Sequence, residues 1–167
     1  MTNFIRSHRK ASILFGVLFG VLSLLVGVAY AKRISPLSWK WYGEIHAPAG
    51  LAIDGYDPVA YHRAGTATRG DGNFHSQWHG AIWHFTSDEN RKLFEANPAQ
   101  YAPQFGGFCS YASSKGFTAK TDPTVWRIED GALYLFNDAG MRDNWVAELE
   151  EGVIEKGKRA WQVRGPR

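Results

Sequence analysis

An uncharged apolar run near the amino terminus constrains this chain more than any other feature. Residues 11–31 read Ala-Ser-Ile-Leu-Phe-Gly-Val-Leu-Phe-Gly-Val-Leu-Ser-Leu-Leu-Val-Gly-Val-Ala-Tyr-Ala, with no charged side chain. At ~1.5 Å per residue, a helix of this length crosses the ~30 Å hydrocarbon layer of a bilayer. Two readings follow. The apolar length favours an uncleaved anchor, and Ala29-Tyr30-Ala31 behind a basic n-region favours a secretory signal. Either one exports the rest of the chain if the amino terminus stays inside. Arg6, Arg9 and Lys10 flank one side and Lys32, Arg33 and Lys40 the other. The free amino terminus and the lack of acid before the run favour the amino terminus inside. Gly16 and Gly20 have the spacing that lets two such helices approach closely.

The expected organisation is a cytoplasmic n-region over 1–10 and a transmembrane anchor or signal over 11–31. A tether over 32–50, one domain over 51–161 and a tail over 162–167 follow. Pro36 and Pro48 break regular structure in the tether. Trp39, Trp41 and Tyr42 beside Lys40 suit either a headgroup-level belt or packing on the domain. A chain of 167 residues has room for one such domain.

Charge and cysteine use narrow the function. The net charge is +3, and Arg6, Arg9 and Lys10 account for it. The rest of the chain balances its acids and bases, so the basic footprint of a nucleic-acid binder is missing. Cys109 is the only cysteine. One thiol permits neither an internal disulfide nor a four-thiolate zinc or iron–sulfur site within one chain. The Gly-x-Ser-x-Gly and His-Glu-x-x-His signatures are absent, and Gly65 to Gly72 lacks the Gly-Lys-Ser/Thr of a phosphate loop. A binding role is expected over an enzymatic one.

The body reads as a small α+β domain of β-hairpins packed with short helices. Asp130-Gly131 separates Val125–Glu129 from Ala132–Phe136, and Asp-Gly suits a two-residue turn with positive φ at both positions. A second hairpin spans Phe74 to Phe85 with His79-Gly80 at its turn. Ser87 caps a helix that ends at Asn97-Pro98, with Leu93 and Phe94 toward the core. A last helix starts near Asp138, and Met141, Trp145 and Leu149 form its apolar stripe. Val153, Ile154 and Trp161 dock a tail. The residues show no internal repeat.

Several stretches in order carry a family resemblance. They are Asp57-Pro58-Val59, Trp78-His79-Gly80, Trp83-His84-Phe85-Thr86-Ser87 and Asn97-Pro98-Ala99-Gln100-Tyr101. Then come Phe105-Gly106-Gly107-Phe108-Cys109-Ser110-Tyr111, Asp122-Pro123-x-x-Trp126 and Leu133-Tyr134-Leu135. From about Leu51 to Trp161 the chain resembles the YHS domain family, and within it a branch of exported bacterial proteins. The resemblance implies a periplasmic domain at the inner (cytoplasmic) membrane and an association with metal handling. Ala60, Thr86 and Asn90 stand where metal-associated members carry cysteines, so that thiolate site is not available here. Some members of the branch are described as selenoproteins, and Cys109 is the candidate for the matching position.

Three kinds of candidate site follow. Asp57, Pro58, Gly106 and Gly107 are motif residues, and the aspartates Asp54, Asp57 and Asp122 sit in turn-capping contexts. Cys109 begins a helix after a glycine pair. It is either a thiolate activated by unpaired amides or a buried, inert thiol. The histidines depend on register. A two-residue turn at His79-Gly80 pairs Trp78 with Ala81, Ser76 with Trp83 and His75 with His84. Opposed residues lie ~5 Å apart on one face. Two imidazoles so placed can share a copper or zinc ion, or can be an exposed polar face without a ligand. The expected ligand set is His75, His84 and Cys109, with His62 a more distant candidate. Alternatives are a thiol redox protein centred on Cys109 and an interaction domain without chemistry; no partner protein is indicated.

Overall fold

The computed structural model describes the backbone of residues 2–31, 34–36 and 43–164, and the side chains of most of these from Phe15 onward. Arg6, Arg9, Lys10, Lys32, Arg33 and the Trp39-Lys40-Trp41-Tyr42 belt lie outside the described side chains. The chain divides into two compact units, Met1–Ile34 and Ser35–Arg167.

The first unit is one helix, α1 (Thr2–Ala31). Its described apolar side chains are exposed on every face, from Phe15 and Leu18 to Leu25 and Tyr30. Among the described residues, no helix is long and apolar enough to cross a membrane. The expected anchor begins at Ala11, and the side chains of Ala11–Leu14 fall outside that description.

The second unit is a mixed α+β domain. Its elements are β1 (Ser35–Pro36), α2 (Pro58–Arg63), β2 (Asp71–Trp78), β3 (Ala81–Phe85), α3 (Asp88–Ala96) and α4 (Pro98–Tyr101). They continue as α5 (Ser110–Ser114), β4 (Phe117–Thr118), β5 (Asp122–Glu129), β6 (Ala132–Phe136), α6 (Ala139–Ala147) and α7 (Val153–Arg164). Short 3-10 turns at Pro48–Gly50, Ala52–Gly55 and Gln104–Gly107 join them. Among the described residues the strands pair as three antiparallel two-stranded sheets, β1 with β4, β2 with β3 and β5 with β6.

Turn chemistry sets both long hairpins. His79 and Gly80 have φ of 48° and 73°, and Asp130 and Gly131 have 49° and 75°. Positive φ at both central residues matches the twist of the flanking strands. The first hairpin therefore pairs Trp78 with Ala81, Gln77 with Ile82, Ser76 with Trp83 and His75 with His84. The helix caps also fall where the side-chain chemistry puts them. Ser87 Oγ accepts from Asn90 N at 3.1 Å, and Asp138 Oδ1 accepts from Met141 N at 3.0 Å. The helix at Asp138 is not the last, because α7 follows and carries the buried Val153.

The domain contains an internal repeat. β2 and β5 have eight residues each, β3 and β6 five, and α3 and α6 nine. Each hairpin has a register break at the same place, between Asp71 and His75 and between Asp122 and Trp126. Before each hairpin lies a 3-10 turn with left-handed residues, Ile53-Asp54-Gly55 and Phe105-Gly106-Gly107. A short helix, α2 or α5, follows each turn. The repeat is invisible in the residues because equivalent positions differ in chemistry: Asp57 matches Cys109, Trp83 matches Tyr134 and His84 matches Leu135.

Each half has its own core. The first gathers Ile53, Val59, Tyr61, Trp83, Phe85 and Phe94, and the second gathers Phe105, Cys109, Tyr134, Phe136, Trp145 and Val153. β6 divides them, because side chains alternate along a strand. Leu133 and Leu135 enter the first core, while Tyr134 and Phe136 enter the second. Tyr61 fastens the halves by donating to Pro123 O at 2.8 Å and meeting Trp126 edge-on.

The expected tether is structured at both described ends. Ser35 and Pro36 pair with β4, and Ile45 and Ala47 pack on the first core. Residues 44–46 cross directly over Gly106, where His46 N donates to Gly106 O at 2.7 Å. A Cβ at Gly106 would overlap Glu44 O, and φ there is 61°. Gly106 thus serves both roles expected of the glycine pair, positive φ and close approach. Gly131 has positive φ and open space around it. Gly131→Ala should cost about 1 kcal/mol, and Gly106→Ala at least ~2 kcal/mol because the crossing segment must lift. Urea unfolding of both variants checks this; equal losses would mean the crossing contributes nothing.

Candidate functional site

The most densely bonded side chain in the domain is Asp57. It is fully buried at the start of α2. Oδ1 accepts from Val59 N at 2.8 Å and Ala60 N at 3.3 Å. Oδ2 accepts from Thr86 N at 2.8 Å, Thr86 Oγ1 at 2.7 Å and Asn90 Nδ2 at 2.6 Å. One carboxylate thus joins the cap of α2, the end of β3 and the first turn of α3. Ala60, Thr86 and Asn90, which the family resemblance sets against cysteines, all bond to this group. They complete a structural clamp and form no ligand set. Pro58 at the first helical position supplies the fixed φ and needs no hydrogen bond. Asp122 likewise caps a turn, accepting from Thr124 N at 2.9 Å.

Cys109 occupies the Asp57 position of the second half. Asp57 N donates to Thr68 O, and Cys109 N donates to Ala119 O at 3.0 Å. The Asp57 side chain takes the amides of Val59, Ala60 and Thr86. The Cys109 sulfur faces their repeat equivalents, the amides of Tyr111, Ala112 and Asn137, but makes no capping hydrogen bond to α5. Burial pushes the Cys109 thiol up, and these nearby amides only oppose that. The residue is fully buried within the second core. Of its two expected readings, this setting is that of a packed thiol rather than an exposed, activated one.

The histidine pair is formed as the register requires. His75 is exposed and His84 half-buried, side by side on the outer face of the first hairpin. His75 Nδ1 lies 2.9 Å from Gly72 O. A carbonyl only accepts, so Nδ1 carries a proton and donates it, leaving Nε2 turned away from this contact. The His84 ring rests against Gly55 and Gly72, whose missing side chains leave its edges uncovered. At the equivalent places the second hairpin has Trp126 and Leu135, which pack into the first core.

The expected three-residue ligand set does not come together. Cys109 belongs to the second core, while the histidines lie on the outer face of the first hairpin. Among the described residues, no group of three His, Cys, Asp or Glu side chains is placed to hold a metal ion. His62 lies elsewhere, edge-on to Tyr101 with ring centroids 5.5 Å apart. Burial lowers its pKa, against a hydrogen bond to the Tyr101 backbone. The chemistry open to the hairpin face is reversible binding by two imidazoles, with remaining positions filled from solution.

A second feature escaped the sequence. A cleft of about 410 Å³ lies where the two halves meet, lined by Trp78, Phe105, Trp161, Gln104, Gln162 and Lys158 among others. Its residues are distant in sequence, so no motif announces it. No family model, curated protein or solved structure matches the chain.

Asp57→Ala leaves several buried donors unpaired and should cost at least ~3 kcal/mol. Asp57→Asn should be nearly as damaging, because one face of the new amide must meet donors with donors. Chemical denaturation measures both, and an Asn variant as stable as wild type would refute the clamp.

Proposed function

We propose that the chain is a membrane-tethered, extracytoplasmic YHS-like domain that binds a copper or zinc ion through His75 and His84. The observation that carries the reading is the direct opposition of these two residues in the first hairpin. Two further features support it. His75 engages Gly72 O through one ring nitrogen, the usual way a ligating imidazole is oriented by its second nitrogen. In the repeat, the same two positions are apolar, with Leu135 buried and Trp126 half-buried against the first core, so packing does not call for histidines here. The ordered motifs from Asp57-Pro58 to Leu133-Tyr134-Leu135 support the YHS assignment, and the α+β domain of short hairpins accommodates them.

Tethering rests on α1. Its described side chains are apolar all round, the pattern of a helix surrounded by protein interior or lipid, and the run continues to Ala11 in the sequence. With the amino terminus inside, the domain lies on the far side of the inner membrane. Intact mass of the mature protein should include residues 11–31; a chain beginning at Lys32 would make the segment a signal.

Metal binding is tested by titrating Cu(II) and Zn(II) into the full chain. Wild type and Cys109→Ser should bind alike. His75→Ala and His84→Ala should each lose at least ~10-fold in affinity, about 1.4 kcal/mol. Equal binding by all four proteins, or none in wild type below about 10 μM, would overturn the reading.

A further inference from the structure

From the cleft where the two halves meet, we infer a second binding site, for a neutral saccharide. It is separate from the histidine face and independent of any metal. Its volume of about 410 Å³ lies within the range of small-molecule sites, ~300–1,000 Å³. The lining has two chemical parts. The partly exposed Trp78 and Trp161 supply aromatic surface above the buried Phe105, and Gln104 and Gln162 supply amides that both donate and accept.

Charge and ring geometry select the ligand class. Among the described lining residues the one cation, Lys158, is held by Glu155 at 2.9 Å. The lining otherwise carries no charged side chain among the described residues, so the fitting ligand is neutral. Phe105 is buried and meets Trp161 edge-on, with centroids 6.0 Å apart, so these rings close on each other and leave no parallel walls to sandwich a flat heterocycle. A sugar ring needs only one aromatic face beside hydrogen-bonding groups. Its C–H face lies on one aromatic ring while its hydroxyls reach the glutamine amides, each of which can serve a hydroxyl's donor and acceptor.

The test uses the full chain in a detergent without a sugar headgroup. Chitotetraose, cellotetraose and maltotetraose are the saccharide probes, with adenosine and a Trp-containing tripeptide as competing classes. Tryptophan fluorescence and saturation-transfer NMR report binding. At least one saccharide should saturate below ~10 mM. Trp161→Ala should weaken it at least tenfold, and the Gln104→Ala/Gln162→Ala double variant several-fold. The double variant removes only partly or fully exposed amides and guards against loss of fold in the tryptophan variant. Its melting temperature should stay within about 2 °C of wild type. Failure of all three saccharides to saturate, unchanged affinity in a folded double variant, or saturation by adenosine or the peptide alone would overturn the inference. Metal titration of the same variants should be unchanged, which separates this site from the histidine pair.

Discussion

The domain depends on one buried carboxylate. A charged group at Asp57 is costly away from water unless its oxygens are fully bonded, and here five donors from three elements meet it. Hydrogen bonds to a charged group contribute more than neutral ones, about 1.5–3 kcal/mol each. The geometry matters as much as the energy. α2 must start at Pro58, β3 must end just before Thr86 and α3 must present Asn90, or the carboxylate loses partners. The histidine face depends on that arrangement, since it fixes where β3 ends and so which side of it His84 takes.

The second half repeats the backbone arrangement with a thiol in the carboxylate's place. Cys109 makes no side-chain cap to α5, and its surroundings hold it by packing. Trp145 and Val153 are fully buried around it, and α7 closes the second core. The two halves then diverge on their outer faces. Trp126 and Leu135 join the first core, whereas His75 and His84 stay on the surface. The repeated scaffold thus uses one copy's outer face for cohesion and leaves the other's partly exposed.

Much of this was legible in the residues, and the reasons are local. His79-Gly80 and Asp130-Gly131 accept positive φ, so two-residue turns and both registers follow. Ser87 and Asp138 are good caps, so two helix starts follow. The repeat was not legible, because it resides in amide and carbonyl positions while the side chains differ. The placement of Cys109 was not legible either. Strand alternation in β6 sends neighbouring residues to opposite cores, and no spacing in the chain says which core a distant thiol joins. The seam cleft has the same origin: Trp78, Gln104 and Trp161 meet only after both halves have packed.

The central claim is that the Asp57 carboxylate clamps the first half, while packing around a thiol at the same place holds the second. Native-state amide hydrogen exchange tests it most directly. The amides of Val59, Ala60 and Thr86 should exchange only through global unfolding. Exchange of this set at the rate of open loops would contradict the clamp.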